Sequence, residues 1–451
     1  MGAEARSFLL YPISMPSAPE VEELTIPATG EMTQLQAVRE SMHLPTALVL
    51  YHYLYPDDVV SAIHFTELST GLAAKGWRVV ASSSNRSCRT ERRKFARRSV
   101  WSGVEFHRIW RPPLAQASRF GRMVNTLWMI VAWSLLALNR SIRPDVLIVG
   151  TDPVLSPLIS IVWKRLRPHV KLVHWCFDLY PEAAVADGLL REGSLLVRLF
   201  KNLMRSAYRN FNLIVDIGVC MRKRLMQYGF RAAAETIAPW ALVELTTPAP
   251  IPVAERCELF GDSTLCLLYS GNFGRAHAWE GIPEIAEALH PAGARIVFSV
   301  RGNAVVELRE ALDRARVPIG CVAFAGAEGL IARLSAADIH IVSLRDEWTG
   351  TVVPSKFFGA LAVGRPVLFV GRADSAISKW ITQWEVGWVL DPSRSGKLAG
   401  ELLQWSQSPE AKLRLFQHCH DVYRREFSRE QAIDRWDKVL RALISQRDAP
   451  T

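Results

Sequence analysis

Residues 349–371, TGTVVPSKFFGALAVGRPVLFVG, read in succession as a loop, a short helix and a buried strand. Pro354 and Ser355 supply a helix start, and ALAVG carries the helix to a glycine stop at Gly364. RPVLFVG is then a continuous apolar run, the pattern of a strand covered on both faces. Such a unit belongs to a parallel α/β sheet. One residue is at odds with its surroundings. Lys356 falls in the first turn of the helix, where the backbone dipole is already positive. A cation is unfavourable there unless an anion shares the spot, so the stretch predicts an anion site as well as a fold.

The same alternation extends outward on both sides. From Thr46 come the strand TALVLYHY, the amphipathic helix AIHFTELSTGLAAKG and the strand WRVVASSS, then DVLIVG (145–150), VKLVHWC (170–176) and NLIVDIG (212–218). TTPAPIPVAERCELFGDS (246–263) interrupts the series with three prolines and reads as a linker. The alternation restarts with LCLLYSG, EGIPEIAEALH, ARIVFSV, CVAFAG, LIARLSAAD and IHIVSL. After RPVLFVG come VGWVL and a long charged helix to about Ser445. Two doubly wound lobes, 45–245 and 263–430, are therefore expected around a linker at 246–262, with a C-terminal helix and tail at 431–451. Residues 1–44 lack periodicity and carry several prolines, which predicts a mobile tail. In doubly wound sheets ligands bind at the carboxyl edges of the strands, so the site is expected between the lobes.

Composition narrows the class. A chain of 451 residues with 49% hydrophobic and 22% charged residues has the balance of a soluble two-domain protein. Its seven cysteines are scattered singly without a CxxC pair or Cys/His cluster, which supports neither a zinc site nor a disulfide framework and points to a reducing cytoplasm. No secretory pattern is read at the N-terminus, and Arg6 breaks the myristoylation pattern. The longest apolar segment, MVNTLWMIVAWSLLAL (123–138), contains Asn125, Thr126 and Ser134 and falls short of the roughly 20 residues of a membrane span, so a buried or interfacial helix is expected. The net charge of +10 is uneven: NRSCRTERRKFARRSVW (85–101) is strongly basic, and Trp110, Trp128 and Trp133 follow it. That stretch reads either as a solvated loop or as a patch for an anionic membrane surface. No nucleic-acid module accompanies the charge, so nucleic acid is not an expected partner.

Candidate chemistry gathers at strand ends. YSGNFGRAH follows the first strand of the second lobe; Gly271 and Gly274 permit close backbone approach to a ligand, and Arg275 and His277 bring positive or switchable charge. The loop has neither GxGxxG spacing nor a closing GK[ST]. Arg301 ends another strand in FSVRGN, and RDEWTGTVVPSK leads into the helix of Lys356. If these loops converge, Arg275, Lys356 and backbone N–H groups at Ser355–Lys356 would cradle a diphosphate; the alternative for Lys356 is an exposed helix lysine. Glu347 is placed to accept hydrogen bonds from ligand hydroxyls, or else is a surface carboxylate. In the first lobe Asp58 or Ser61 is a candidate cap for the helix in YPDDVVSAIHFTEL, and His64 within it reads as packed. HWCFDLYPEAAVADG (174–188) offers Asp178 and Glu182, either as an acceptor-binding base with its neighbour or as a helix cap and first-turn carboxylate. With no DxD or His/Asp cluster, no metal site is expected and a metal-independent mechanism is favoured.

Taken in order, YPDDVVSAIHFTELSTGLAAKGWRV, PDVLIVGTDPVLSP, DLYPEAAVADGLL, APW, YSGNFGRAH and VVPSKFFGALAVGRPVLFVG resemble glycosyltransferase family 4, the retaining GT-B enzymes, and within it the colanic-acid-type (exopolysaccharide or O-antigen) branch. The resemblance covers roughly residues 46–430. It implies two Rossmann-like domains facing each other across a cleft, with a C-terminal helix crossing back. It also implies a nucleotide-sugar donor (a UDP- or GDP-sugar, as substrate and not cofactor) in the second lobe and an acceptor in the first. The basic, tryptophan-rich stretch of the first lobe adds the expectation that the acceptor is a lipid-linked saccharide at the inner face of the cytoplasmic membrane. By the same likeness Gly271, Asn272, Arg275, Ser355 and Lys356 line the donor, Glu347 holds donor hydroxyls and Asp178 faces the acceptor, with leaving-group charge met by cations and helix-end amides. His277 and Arg301 join the expected donor site from their places at the strand ends. Two places depart from the wider family. DDVVSA stands where many members have a Gly-Gly turn, and Gly359 or a neighbour stands where many have the second glutamate of an E-x7-E motif; both departures fit the exopolysaccharide branch. A nucleotide-sugar epimerase of the same shape and a catalytically silent sugar-nucleotide binder are the alternative readings of the chain.

Overall fold

In the computed structural model, which describes residues 44–90, 92–391 and 395–445, each lobe is built on its own sheet. The tail expected at 1–44 lies, but for its last residue, outside the described residues. The first sheet has eight strands: β1 (Thr46–Leu50), β2 (Arg78–Ser84), β3 (Arg98–Trp101), β4 (Val104–Ile109), β5 (Val146–Val149), β6 (Lys171–Cys176), β7 (Leu213–Asp216) and β8 (Ala233–Thr236). Their order is β3-β4-β2-β1-β5-β6-β7-β8, parallel except for the antiparallel β3–β4 hairpin. The second sheet has six strands: β9 (Leu265–Asn272), β10 (Ala294–Arg301), β11 (Gly320–Ala323), β12 (Ile339–Ser343), β13 (Val367–Val370) and β14 (Gly387–Leu390). They run parallel throughout in the order β11-β10-β9-β12-β13-β14.

Strands β1, β5, β7, β12 and β13 are buried along their whole length, which is why they read as largely apolar runs, broken only by buried Thr46, Asp216, His340 and Ser343. In each sheet the winding reverses beside the first strand, between β1 and β5 and between β9 and β12. Loops that leave the carboxyl ends of such neighbouring strands part to opposite faces and open a crevice.

The basic stretch 85–101, read either as a solvated loop or as a patch for an anionic surface, is partly folded. Ser102 and Gly103 adopt positive φ (47° and 80°), the backbone of a two-residue hairpin turn, and alternate residues of β4 point into the core. Two of the stretch's arginines are drawn into the fold, Arg86 donating from Nε to the Arg111 carbonyl (2.8 Å) and Arg89 paired with Asp58, while Arg92, Arg93, Arg97 and Arg98 stay exposed.

The linker expected at 246–262 extends into the second lobe. Residues Val253–Phe260 form a helix whose Leu259 and Phe260 pack with Cys266, Leu268 and Val297, and Arg256 is paired with Asp338 at 2.8 Å. At the other end, helix Arg429–Ser445 crosses back onto the first lobe. Its Trp436 is fully buried and lies edge-on to Trp175 (ring centroids 5.1 Å apart), and Trp77 donates to Asp437 at 2.6 Å. The two chain crossings are stitched together. Arg429 N donates to Glu244 Oε1 (2.7 Å), Ala241 N to Tyr423 Oη (3.1 Å), and His420 Nε2 to the Leu245 carbonyl (3.0 Å). Beside this seam one apolar core runs from the first lobe through Phe357, Trp380 and Phe427 of the second.

Candidate active site

Three loops at the carboxyl edge of the second sheet build one side of the site. Gly271 and Asn272 end β9, Arg301 ends β10, and Lys356 opens the helix Lys356–Ala362 beyond β12. The aliphatic stem of Lys356 lies against Gly271. A Cβ at that position would come within 2.8 Å of Lys356 Cε, and φ is +133°, so both contact and backbone require glycine. The Lys356 ammonium is 3.1 Å from His277 Nε2 and 5.1 Å from the centroid of the Tyr269 ring. His277 donates from Nδ1 to the Ser343 carbonyl (2.8 Å), which leaves Nε2 as acceptor for the lysine. Burial, reinforced by the Lys356 charge, holds His277 far below its ordinary range, so it is a neutral acceptor; the switchable charge expected of it is not there. Burial alone pulls Lys356 down to about 7, with no carboxylate among the described residues to offset it. A cation surrounded by protein, seated on a neutral imidazole and an aromatic ring, is a site that an anion completes.

Arg275, about half exposed, places Nη1 3.4 Å from Oδ2 of Asp187, a buried residue of the first lobe. Asp187 Oδ1 has no hydrogen-bond partner, and burial raises the Asp187 pKa against the opposing pull of Arg275. A ligand phosphate would compete with this carboxylate for the guanidinium. Asp187→Asn is therefore expected to tighten UDP or GDP binding by about three- to tenfold, and Arg275→Ala to weaken it by about tenfold, both read by titration calorimetry.

Gly271, Asn272, Arg275, His277, Arg301, Ser355 and Lys356 all line one cavity of about 460 Å³, with Asp178, Ser61 and Phe177 of the first lobe across from them. Asp178 and Ser61 also line a second cavity of about 500 Å³, walled by Tyr51, Arg122 and Asp152 and closed on one side by Trp348. Asp178 thus stands where the two cavities meet. Burial, and after it the charge of Asp152, push its carboxyl up to about 6. His52 Nδ1 lies 3.4 Å from Asp152 Oδ1 in the same second cavity.

Other expectations are corrected. Glu347 does not line the cavity: it is exposed on the tight turn Asp346–Trp348, while its neighbour Trp348 turns inward and borders both cavities. Ser355 makes no capping bond; it has helical dihedrals (φ −66°, ψ −16°) and sits exposed at the cavity lip. Neither Asp58 nor Ser61 caps the first helix, because Val59 occupies the cap position and Asp58 is taken by Arg89. Glu182 is held by Tyr228 Oη, which donates to its carboxylate at 2.7 and 2.9 Å, with Lys201 at 3.7 Å. His64 is packed as expected, its ring nitrogens facing the carbonyls of Val60 (2.7 Å) and Trp240 (2.9 Å). Asp187, Asp152 and Tyr269 were not singled out from sequence. Asp187 is the last but one residue of the stretch that yielded Asp178, but its partner comes from the other lobe, which no local pattern records.

Comparison with known proteins agrees with this architecture. Residues 61–240 match the family model described as a glycosyl transferase 4-like domain. The probable glycosyltransferase WbjE of Pseudomonas aeruginosa is 24% identical over 330 residues, covering 70% of this chain and 78% of the relative. WcaI of Escherichia coli (strain K12), named as a colanic acid biosynthesis glycosyl transferase, is 23% identical over 356 residues, covering 75% of this chain and 83% of its own. Among solved structures, sucrose-phosphate synthase from Thermosynechococcus elongatus superposes with a TM-score of 0.66 at 16% identity, over 90% of this chain and all of that one. Anabaena HepE, in complex with UDP and glucose, superposes with a TM-score of 0.60 at 12% identity, over 88% of this chain and all of that one. At those identities the two structures speak for the fold alone.

Proposed function

We propose that this chain, a glycosyltransferase of the family-4 type with a GT-B fold, transfers a sugar from a nucleotide-diphosphate donor to a lipid-linked saccharide in exopolysaccharide or cell-surface glycan synthesis. The observation that carries the donor half is the convergence of Lys356, His277 and Arg275 on the interlobe cavity. A diphosphate seated there would meet the Lys356 ammonium and the Arg275 guanidinium where the leaving-group charge develops, so the reaction runs without a divalent cation. The acceptor half rests on Asp178: a carboxyl at the junction of two cavities can hold an acceptor hydroxyl against the sugar. Transfer with retained anomeric configuration, and a cytoplasmic location against the inner membrane face, complete the reading. The complex of the structural neighbour HepE with UDP and glucose makes UDP-sugars the first donors to try.

The test incubates the full chain with UDP- and GDP-sugars, with and without a lipid-linked oligosaccharide, and follows nucleoside diphosphate release and product anomeric configuration. Release that depends on acceptor, persists in EDTA and gives a retained linkage is expected. Interconversion of donor sugars without acceptor would make the chain an epimerase, and nucleotide binding with no release from any donor would make it a binder.

A further inference from the structure

We propose that helices Arg119–Leu135, Ile159–Leu166 and Leu195–Tyr208 together form a docking face by which the first lobe lies on an anionic lipid bilayer, delivering a lipid-carried acceptor to the second cavity from the membrane side. The acceptor clause rests on the transferase reading; the docking surface stands on its own observations.

The three helices lie side by side on the first sheet. Arg119–Leu138 is long and apolar enough to cross a membrane, with mean hydropathy 1.3, yet it is pinned lengthwise to the lobe. Gly121, Asn125, Met129 and Trp133, one residue in four, are buried against the sheet. Trp133 donates to Ser82 Oγ at 3.2 Å, and Asn125 Nδ2 to the Leu114 carbonyl at 2.9 Å. A helix held along one whole stripe lies in an interface and does not span it. Its outward stripe is Phe120, Met123, Leu127, Val131 and Leu135, each more than half exposed. Ile161 and Leu166 continue the apolar surface on the middle helix. Leu196, Leu199 and Leu203 continue it on the third, which begins at Leu195, 81% exposed. Apolar surface on this scale, contiguous over three helices, marks an interaction site.

Charge selects the occupant. Residues 119–144, 159–166 and 195–208 contain no aspartate or glutamate. Arg140, Arg143, Arg165 and Arg198 are exposed along the same segments. An apolar centre whose rim is cationic but for Glu192, exposed just ahead of Leu195, matches acyl chains below anionic headgroups. Trp110 and Trp128 pack edge to face at 5.1 Å, both exposed, where aromatic side chains sit at headgroup depth. The position fits delivery. Gln116, Ala117, Arg122 and Thr126, on and just before the first of these helices, wall the second cavity, and the exposed Leu189 reaches it from the opposite side. The arginine stretch 85–101 is a weaker candidate: Arg92, Arg93, Arg97 and Arg98 are exposed, but among the described residues of the stretch Val100 is the only large apolar side chain exposed beside them.

The experiment is co-sedimentation of the full chain with phosphatidylcholine vesicles, with and without phosphatidylglycerol, no donor present. The wild type is expected to pellet with the anionic vesicles and not with phosphatidylcholine alone. The triple substitution Leu127→Glu, Val131→Glu and Leu199→Glu is expected to cut the pelleted fraction about tenfold with melting temperature and UDP or GDP affinity unchanged. Neutralising Arg92, Arg93, Arg97 and Arg98 is expected to change it less than about twofold. The proposal is overturned if the triple variant pellets like the wild type, or if the arginine variant alone abolishes binding. It is equally overturned if the wild type ignores vesicles and light scattering shows a dimer that the triple variant dissociates. Vesicle binding by a chain that transfers no sugar would refute the transferase reading and leave the docking face intact.

Discussion

Lys356→Met is expected to lower kcat/KM for sugar transfer by about 10²–10³ while raising the melting temperature at neutral pH. Both effects come from one arrangement. Methionine keeps the unbranched stem that packs on Gly271, but removes an ammonium whose neighbours are a neutral imidazole and an aromatic ring. Burial lowers the Lys356 pKa from 10.5 to about 7, so above pH 7 the unfolded chain holds a proton that the native protein has released. The ammonium's cost to stability is therefore full below pH 7, shrinks as pH rises, and is gone near 10.5. Because the side chain is partly exposed, the gain on substitution is put at about 1–2 kcal/mol, measured by melting curves at pH 6.5 and vanishing in curves at pH 10.5. A diphosphate bound at the cavity would return the lysine toward its ordinary pKa. Wild-type protein is thus expected to take up a proton when it binds UDP at pH 8, seen as a buffer-dependent calorimetric heat, and the variant is not. A variant that keeps its rate would remove Lys356 from the chemistry.

Asp178→Asn is expected to lower kcat/KM by about 10²–10³ and to abolish an acid limb that the wild type shows near pH 6. The carboxyl is held up to about 6 first by burial and then by Asp152, so activity that needs the carboxylate falls as pH drops through 6. Asp152→Asn provides the internal check: with the neighbouring charge gone, the limb should move to lower pH while the Asp178 carboxylate remains. A limb unmoved in Asp152→Asn, or surviving in Asp178→Asn, would place the titrating group elsewhere. Stability follows the opposite sense from activity. A carboxyl whose folded pKa lies above its ordinary 3.8 costs stability as pH rises from 3.8 through 6, so Asp178→Asn should melt higher than wild type at pH 8.

The strands of both lobes could be read from sequence because strands buried on two faces are apolar at nearly every position, as in VLIV of β5 or VLFV of β13. The convergence of Gly271, Arg275, Arg301 and Lys356 was legible for a related reason: each sits at the carboxyl end of a strand, and parallel winding brings such ends to one edge. What escaped depends on contacts between distant segments. The short β3–β4 hairpin lay hidden in an arginine run whose charge outweighed its two-residue alternation. Glu347 and Trp348 are adjacent in sequence, and only the tight turn decides which of them faces the cavity. The neutral state of His277 is set first by burial and then by the charge of Lys356, 79 positions away, and the role of Asp187 by a guanidinium on the opposite lobe.

The crossings of the chain near Glu244 and Tyr423 have a mechanical consequence. Two bodies joined at a single riveted seam can swing about it like leaves on a pin, but they resist sliding past one another. Away from that pin, polar fastenings between the leaves include the amide of Leu179 on the Thr351 carbonyl at 2.9 Å, Arg224 on the Glu347 carbonyl at 3.3 Å, and the longer contact of Arg275 with Asp187 at 3.4 Å. If the proposed nucleotide draws Arg275 off Asp187, the contact that seats it would also undo one latch, and the departure of the product would refasten it.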